Sequence, residues 1–408
     1  MKSRPLPYLF ATPLLLAVPA SSAPSSAPPT QVWIDVATHH MAGMPDMGAL
    51  GGLAKMIGGG AGGQLQWPDT RYPTGNGRFL DVALHNRLDP GKPAEQQVPA
   101  GLGLGAALPL LPPPTRPRVP DERGPGQDMG KPRDGEMRML FYWGCGNEVR
   151  PGQPREFVVR VKDGKVDVSG DPQQGRYAPD RDIDPDPSYA LWPNTQARKR
   201  APANASLVGT HRITGAGVPG SLQFELTRSA DFMPAIALSS SGTPATGLDL
   251  RWQPVDNARA YFLHAVGNRG SDMVMWSSAE VPDAGQGVMQ YLTGATIDRW
   301  IREKVLLPPS TTTCAIPGGI FQDAGMLSMM AYGPETNIAY PPRPADPKQP
   351  WNPEWNVRVR TKSTTSAILG MDLSGAMPQD DEGSRADREQ KPEEGAAKKL
   401  LKGLLRNR

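Results

Sequence analysis

The sequence lacks the features that mark several large classes of protein. Its 408 residues include only two cysteines, and aromatic residues make up 6% of the chain. The 44 Lys and Arg nearly balance the 41 Asp and Glu, so the formal charge of +3 does not indicate a nucleic-acid-binding protein. No apolar run approaches the roughly 20 residues of a membrane-spanning helix. The mean hydropathy of −0.45 agrees, and a multi-span membrane protein is excluded.

Local signatures of common enzyme classes are also missing. The sequence contains no Gly-x-Ser-x-Gly, no His-Glu-x-x-His, no phosphate-binding loop and no Ser-x-x-Lys. His211 and His264 lie in separate strand-like regions without a nucleophile beside them. A hydrolase remains an alternative, because the members of a catalytic triad need not be close in sequence. The sequence therefore favours a non-catalytic protein.

Glycine and proline are abundant instead. The chain has 45 Gly and 46 Pro, and both residues destabilise the interior of a helix. Short stretches rich in β-branched and aromatic residues alternate with turn residues after Gly135, which is typical of β-sandwiches. We predict a mainly β protein with two β-sandwich-like domains, at 136–245 and 246–340.

The amino terminus has the layout of a secretory signal peptide. Lys2 and Arg4 precede an apolar stretch that is followed by small residues. A basic segment, a short apolar segment and small side chains, in this order, direct a protein to export. We predict that residues 1–23 are a signal peptide, cleaved after Ala20 or Ala23, and that the protein is periplasmic or otherwise exported.

The two cysteines are Cys145 and Cys314, and each lies beside a strand-like run. Cysteines of exported proteins commonly pair, because the compartment is oxidising. We predict a Cys145–Cys314 disulfide. Two buried free thiols are the alternative.

An internal repeat lies in a Gly/Met-rich arm predicted over 24–89. Residues 33–39, WIDVATH, match residues 79–85, FLDVALH. Both copies have the aromatic and β-branched residues that are typical of strands. Alternation places the aspartate and the histidine of each copy on the same face of its strand.

Charge predicts how the two copies pair. Antiparallel pairing with the alanines aligned sets Asp35 opposite His85 and Asp81 opposite His39. Cross-strand partners of this kind are about 5 Å apart. Parallel pairing would set one carboxylate against the other, so the antiparallel register is favoured.

Two segments have the composition of connections between domains or of an extension. Residues 90–135 contain 19 Gly or Pro among 46 positions, which predicts a linker. Residues 341–375 form a Trp/Pro-rich extension, in which Trp351 and Trp355 are candidates for stacking on a sugar or a partner protein.

The carboxyl-terminal segment, 376–408, carries two opposed blocks of charge. Seven acidic residues lie between Asp380 and Glu394, which predicts a disordered spacer. A leucine stripe with a basic opposite face follows over 398–408, and it suits peripheral contact with an anionic membrane. A frayed helix, or pairing of this basic segment with the acidic block, is the alternative.

The second β domain resembles a known family. The pattern L-x-W-x-P-V at 250–255, followed by A-x-x-Y at 258–261, resembles the second and third strands of a fibronectin type III domain. The resemblance implies a two-sheet core anchored by Trp252 and Tyr261, in what is usually an interaction module. The helical spacing of apolar residues over 289–307 departs from that family and predicts an inserted helix.

A His/Met-rich segment supplies the sharpest metal-binding candidate. His39, His40, Met41, Met44 and Met47 lie within nine residues. Imidazole and thioether groups suit copper, and Cu(I) favours the softer sulfur. Nonetheless, methionine in a Gly/Ala-rich loop also fills apolar space without any metal.

A second candidate is the acidic segment DRDIDPD at 180–186. Alternating carboxylates suit calcium, but the glycine and the final glutamate of a calcium-binding EF-hand loop are missing. A solvated acidic loop and an irregular calcium site are the two interpretations.

Taken together, these features favour an exported, non-catalytic binding or structural protein of the periplasm or cell envelope. Its expected partner is a protein or a glycan, and not a nucleic acid. The alternatives are a copper-binding protein that uses the His/Met-rich segment, and a hydrolase with a spatially assembled triad.

Overall fold

Alternating and β-branched sequences form strands throughout the part of the chain for which structure is described. The computed structural model describes residues 29–42, 67–71, 75–114, 134–170, 175–283, 285–322, 325–346 and 348–370. The strands are β1 (Thr30–Met41), β2 (Gly77–Asn86), β3 (Ala94–Gln97), β4 (Ala107–Leu110), β5 (Gly135–Trp143), β6 (Arg155–Lys162), β7 (Lys165–Gly170), β8 (Tyr189–Trp192), β9 (Gly209–Gly215), β10 (Gln223–Leu226), β11 (Leu238–Thr243), β12 (Gly247–Trp252), β13 (Ala260–Arg269), β14 (Asp272–Ser277), β15 (Thr313–Ile316), β16 (Met326–Tyr340) and β17 (Trp355–Ile368). Within these ranges one α-helix, α1, spans Gly294–Arg302. The prediction of a mainly β protein is confirmed.

One wide sheet organises these strands. Its ten strands follow the order β7-β6-β5-β14-β13-β16-β17-β1-β2-β8. Neighbours run antiparallel except at two joins, β1 with β17 and β5 with β14, which are parallel. The first of these joins brings together strands from opposite ends of the described chain.

Two small sheets cover one face of the wide sheet, which we call the sandwich face. The sheet β10-β9-β3-β4 packs over β1, β2 and β17, with Val82, Val357 and Leu102 in the shared core. The sheet β11-β12-β15 packs over the strands from β5 to β16, with Leu263 and Trp276 in the shared core. The two sandwich-like cores therefore share one wide sheet, and each is assembled from distant parts of the sequence.

The opposite face, which we call the helix face, is covered in part by α1. Thr293 caps the start of this helix, its hydroxyl accepting a hydrogen bond from the Thr296 backbone N–H at 3.2 Å. Ile297 and Trp300 bury the apolar side of the helix against Phe262 of β13. The helix lies within the segment 289–307 for which helical spacing predicted it.

The two copies of the internal repeat pair antiparallel, as β1 and β2, but in a different register from the one predicted. Asp35 lies opposite Asp81, and His39 lies opposite Gly77. The prediction considered the two strands alone. The structure places β17 on the other side of β1, and Arg360 and Lys362 of β17 supply the positive charge that lets two carboxylates share a face.

Two segments predicted as connections are parts of sheets instead. Within the predicted linker 90–135, β3 and β4 form half of a small sheet, and Leu102, Leu108 and Leu110 are fully buried. Within the predicted extension 341–375, β17 is a central strand of the wide sheet. Glycine and proline mark turns there, while the short strands between them bury enough leucine to pack.

Several predictions fall on residues outside the described parts of the chain. These are the signal peptide at 1–23, the methionines Met44 and Met47, the second half of the linker, and the tail at 376–408. They stay predictions. Among the described residues, no helix is long and apolar enough to cross a membrane.

The residues behind the fibronectin type III resemblance lie in two facing sheets. Trp252 is the last residue of β12 in a small sheet, and Tyr261 is the second residue of β13 in the wide sheet. Their rings meet edge to face at 5.6 Å, and the Tyr261 hydroxyl oxygen accepts a hydrogen bond from the Val255 backbone N–H at 2.9 Å. Both side chains are core residues.

The predicted disulfide is confirmed and joins two layers of the fold. Cys145 follows β5 of the wide sheet, and Cys314 lies in β15 of a small sheet. A backbone hydrogen bond from Gly146 to the carbonyl of Ala315, at 3.0 Å, runs beside the bridge. The small sheet is therefore held to the wide sheet covalently as well as by packing.

Replacing both cysteines, Cys145→Ser with Cys314→Ser, should lower the stability substantially. The bridge spans 169 residues, and the loop-entropy relation gives about 5 kcal/mol for a closed loop of this length. Urea unfolding of the oxidised protein, the reduced protein and the double variant measures the effect. The reduced protein and the double variant should agree, and a double variant as stable as the oxidised protein would contradict the assignment.

Candidate functional site

The helix face of the wide sheet carries a buried group of charged side chains. β1, β2 and β17 are adjacent strands, and alternation points their charged residues to this face. A carboxylate from the acidic segment 180–186 reaches the same place. We call the five residues the ion cluster: Asp35, Asp81, Asp182, Arg360 and Lys362.

An ion pair between Asp35 and Arg360 is the centre of this cluster. The Arg360 Nε and Nη2 donate to the two carboxylate oxygens of Asp35 at 2.7 and 2.5 Å. The Arg360 Nη2 also donates to Asp182 at 2.8 Å. Burial alone would lower the pKa of Arg360, but the Asp35 carboxylate outweighs it and raises the pKa. The guanidinium is therefore charged at any working pH.

Lys362 lies two residues after Arg360 in β17 and is 1% exposed. Its Nζ donates to the Arg71 carbonyl at 3.4 Å and lies 4.5 Å from the ring centre of Tyr291. Burial and the neighbouring Arg360 lower the pKa of Lys362 to about 8, against the pull of Asp35 in the other direction. The buried ammonium of Lys362 therefore loses its proton more readily than that of an exposed lysine.

The Asp81 carboxylate is buried and accepts three hydrogen bonds. The backbone N–H groups of Asp69 and Thr70 donate to it at 2.9 and 2.8 Å, and the Thr70 hydroxyl donates at 2.6 Å. Burial, with the facing Asp35 adding to it, raises the pKa of Asp81 to about 7 despite these hydrogen bonds. Proton uptake near neutral pH relieves the repulsion between the two facing carboxylates.

Tyr291 closes the cluster from the segment before α1. Its hydroxyl donates to the Val36 carbonyl at 3.0 Å, and its ring lies 4.5 Å from the Arg360 guanidinium. Burial raises the pKa of Tyr291 well above its ordinary value. The neutral phenol of Tyr291 therefore contacts both β1, through the Val36 carbonyl, and β17, through Arg360.

The ion cluster therefore suits a structural role better than a catalytic one. Each of its charged groups is already bound by a protein group: the bonds of Arg360 join β1, β17 and the acidic segment, and those of Asp81 and Lys362 join β2 and β17 to residues 69–71. A group poised for reaction needs room for a substrate beside it. The arrangement instead fixes the register of the central strands.

The predicted copper ligands do not converge on one face. His39 and His40 are consecutive in β1, so alternation points their rings to opposite faces of the sheet. His39 is buried and bonded to the Thr364 hydroxyl at 2.6 Å. Burial and the nearby Lys362 lower the pKa of His39 to about 3, so the ring is neutral. Met41 ends the strand, and Met44 and Met47 lie outside the described residues.

Over the described ranges, no group of three His, Cys, Asp or Glu side chains is placed to hold a metal ion. Two of the four carboxylates of 180–186 are held closely by protein groups instead. Asp182 pairs with Arg360 and, at 3.4 Å, with Arg71. Asp186 accepts hydrogen bonds from Ser188.

The histidines considered for a catalytic triad are both buried. His211 is 0% exposed; its Nδ1 lies 3.0 Å from the Gln96 side-chain nitrogen and its Nε2 lies 2.8 Å from the Leu207 carbonyl oxygen. His264 is 7% exposed and lies on another sheet. The Ser277 hydroxyl beside His264 donates to the Asp283 backbone carbonyl at 2.8 Å. We therefore do not propose a hydrolase.

The tryptophans considered as a stacking platform are occupied within the protein. Trp355 is 2% exposed and stacks on Tyr340. Trp351 donates to the Pro341 carbonyl at 2.9 Å, and its ring lies under the Arg343 guanidinium. Trp355 therefore has no free face for a sugar to stack on, and the Arg343 guanidinium covers one face of Trp351.

An apolar surface lies at the far end of the wide sheet, where no sequence motif indicated one. The register of β14, β5, β6 and β7 brings one set of apolar side chains together on the helix face. We call this set the apolar sheet end: Met137, Met139, Phe157, Val159, Val161, Val166, Val168 and Met273.

Several of these side chains are unusually exposed for their type. Val166 is 58% exposed, Val168 is 53%, Met137 is 45% and Met273 is 37%. The other face of the same strands is charged, and Arg138 bonds Glu156 across it at 2.6 Å. Alternation in 137–168 could have indicated such a two-faced sheet, but which face stays uncovered depends on the distant elements that pack on it.

Comparison with known protein families, with curated proteins and with solved structures finds no match to this chain. The fold, the ion cluster and the apolar sheet end must therefore be interpreted from their own chemistry. The fibronectin type III resemblance of the second β domain stays a prediction.

Asp81→Asn should change how stability depends on pH. The folded pKa of about 7 exceeds the ordinary value of 3.8, so the folded protein keeps a proton that the unfolded chain releases. This contribution is complete below the ordinary value and is lost as the pH rises to about 7, by roughly 4 kcal/mol in total.

Urea unfolding at several values between pH 4 and pH 7 measures this effect. The stability of the native protein, relative to Asp81→Asn, should fall as the pH rises. Asp256→Asn changes an exposed carboxylate and controls for the change in net charge. A constant difference between the native protein and Asp81→Asn across this range would refute the burial argument.

Proposed function

We propose that this chain is an exported, non-catalytic binding protein of the cell envelope that docks a partner protein on the apolar sheet end. The observation that carries the proposal is the full or partial exposure of eight apolar side chains on one continuous face. Contiguous apolar surface of this kind is uncommon on monomeric proteins and often marks an interaction site. The charged opposite face explains why only one side of the sheet end would be covered.

The chemistry of the surface favours a protein over a glycan. Its side chains are Met, Val and Phe, which bury apolar area but offer no hydrogen bonds to sugar hydroxyls. Methionine is flexible and adapts to different apolar partners. Glycan recognition would instead need free aromatic faces and polar groups. The two tryptophans considered for that role, Trp351 and Trp355, are engaged within the protein.

Export is supported by the cysteines and by the sequence of the amino terminus. The Cys145–Cys314 bridge suits an oxidising compartment, because the cytosol of most organisms keeps thiols reduced. The layout of residues 1–23 suits a secretory signal peptide. The two observations are independent and lead to the same compartment.

A binding role is supported further by the state of the ion cluster. Asp35, Arg360 and Lys362 are buried and bound by protein groups. They stabilise the central strands of the sheet from which β5, β6 and β7 project. A rigid base with an exposed apolar end is an arrangement suited to docking.

Site-specific photocrosslinking in intact cells tests the docking surface. A photoreactive residue in place of Met137, which is 45% exposed, should give a discrete adduct with another envelope protein. The same residue in place of Val208, which is 40% exposed and lies before β9, is the matched control and should give none. Val159→Lys, opposite Met137 in the register, should abolish the adduct by placing a charge in the contact.

Three results would count against the proposal. The first is an adduct that is equal at the two positions. The second is an adduct that survives Val159→Lys in a protein of unchanged thermal stability. The third is a protein that fractionates with the cytosol and carries two alkylatable thiols.

A further inference from the structure

The outermost strand of the wide sheet, β7, presents an open edge. All six of its residues are exposed, and in the described part of the chain no strand pairs with its outer side. The opposite edge of the sheet, formed by β8, is covered by another segment of the chain. There, β8 exchanges backbone hydrogen bonds between Leu191 and Leu111 at 2.8 and 3.1 Å, so a further segment covers that edge.

The turn between β6 and β7 determines which backbone groups of β7 are free. Asp163 and Gly164 both have positive φ, 51° and 71°, and they form a two-residue turn in which Lys162 pairs with Lys165. The residues that flank such a turn form a hydrogen-bonded pair, and pairs then alternate along the strands. The backbone groups of Lys165, Asp167 and Ser169 therefore bond to β6.

The remaining residues of β7 point their backbone groups outward. Val166 and Val168 each present an N–H and a carbonyl to the open side of the sheet. Edge strands are ordinarily protected by a short length, a proline, a bulge or charged side chains. β7 contains neither a proline nor an irregular register, and its two charged side chains, Lys165 and Asp167, are of opposite sign.

We propose that β7 pairs antiparallel with β7 of a second copy of this chain, with Val166 opposite Val166. In this register the free backbone groups of Val166 meet their counterparts as a hydrogen-bonded pair. Lys165 of each copy then lies opposite Asp167 of the other. Two opposite-charge pairs therefore flank the two-fold axis, and this charge complementarity selects the second copy as the occupant of the edge.

Other two-fold registers are less favourable. Moving the axis to Asp167 sets two carboxylates opposite each other in a close, non-hydrogen-bonded pair, and like charges there are destabilising. Moving it to Val168 sets Asp167 opposite Ser169, which has no charge to offer. The Val166 register is the one that gains ion pairs while using the outward backbone groups.

The pairing goes beyond the proposed function and does not depend on it. Partners in a strand pair share a face, so the apolar sheet ends of the two copies would lie on the same side of a continuous sheet. That surface would stay open to another protein. Met137 is two strands away from the edge, about 10 Å, so the adduct expected there does not involve the second copy.

Charge-exchange variants test the register with the full exported chain. Sedimentation equilibrium of the native protein should show a reversible dimer. Lys165→Asp alone sets carboxylates opposite each other twice, and Asp167→Lys alone does the same with lysines. Each single variant should therefore associate about a hundredfold more weakly than the native protein.

An equimolar mixture of the two single variants should recover the dimer. The aspartate introduced at position 165 of one partner would then face the lysine introduced at position 167 of the other. The unchanged Asp167 of the first partner would face the unchanged Lys165 of the second, as in the native pair.

Three results would overturn the proposal. They are a native protein that stays monomeric, single variants that dimerise as well as the native protein, and a mixture that fails to associate. Thermal unfolding of each single variant confirms that it is folded before mixing.

Discussion

The ion pair between Asp35 and Arg360 is the constraint on which the rest of the fold depends. It joins residues 325 positions apart in sequence, at the parallel contact of β1 with β17 inside the wide sheet. Both side chains are almost completely buried, so either charge without its partner would be costly. The pair also explains the neighbouring Asp81, because positive charge from β17 lets a second carboxylate face the first. The register of three central strands is thus specified by charge as well as by apolar packing.

The sequence predicted the elements better than it predicted their arrangement. The abundance of Gly and Pro predicted a mainly β fold, which the structure contains. The repeated WIDVATH and FLDVALH segments predicted an antiparallel strand pair, and the two cysteines predicted a disulfide; both are present. The register of the repeat was wrong because two strands cannot reveal the charge on a third. The central position of β17 was missed because the alternating Arg358, Arg360 and Lys362 are typical of a solvated surface. The partners at Asp35 and Asp182, which make burial of Arg360 favourable, come from distant parts of the sequence.

The candidate sites likewise depend on residues from distant parts of the sequence, which local composition does not reveal. Local composition singled out His39, His40 and Met41, yet the pleat of β1 separates the two imidazoles. The ion cluster gathers residues from β1, β2, β17 and the acidic segment 180–186, so no local motif could reveal it. The apolar sheet end is visible in the sequence as alternation, but its exposure depends on how far α1 and its flanking segments extend across the helix face. The buried charges and the exposed apolar side chains thus lie on different strands of one sheet.

The central claim is that the Asp35–Arg360 pair couples the first and last strands of the fold. A double-mutant cycle with Asp35→Leu and Arg360→Met, measured by urea unfolding, tests it most directly. Each single variant leaves a buried charge without its partner and should lose about 3–5 kcal/mol, whereas the double variant should lose less than either. If the double variant instead lost the sum of the two single effects, the two residues would be uncoupled and the account of the central strands would be contradicted.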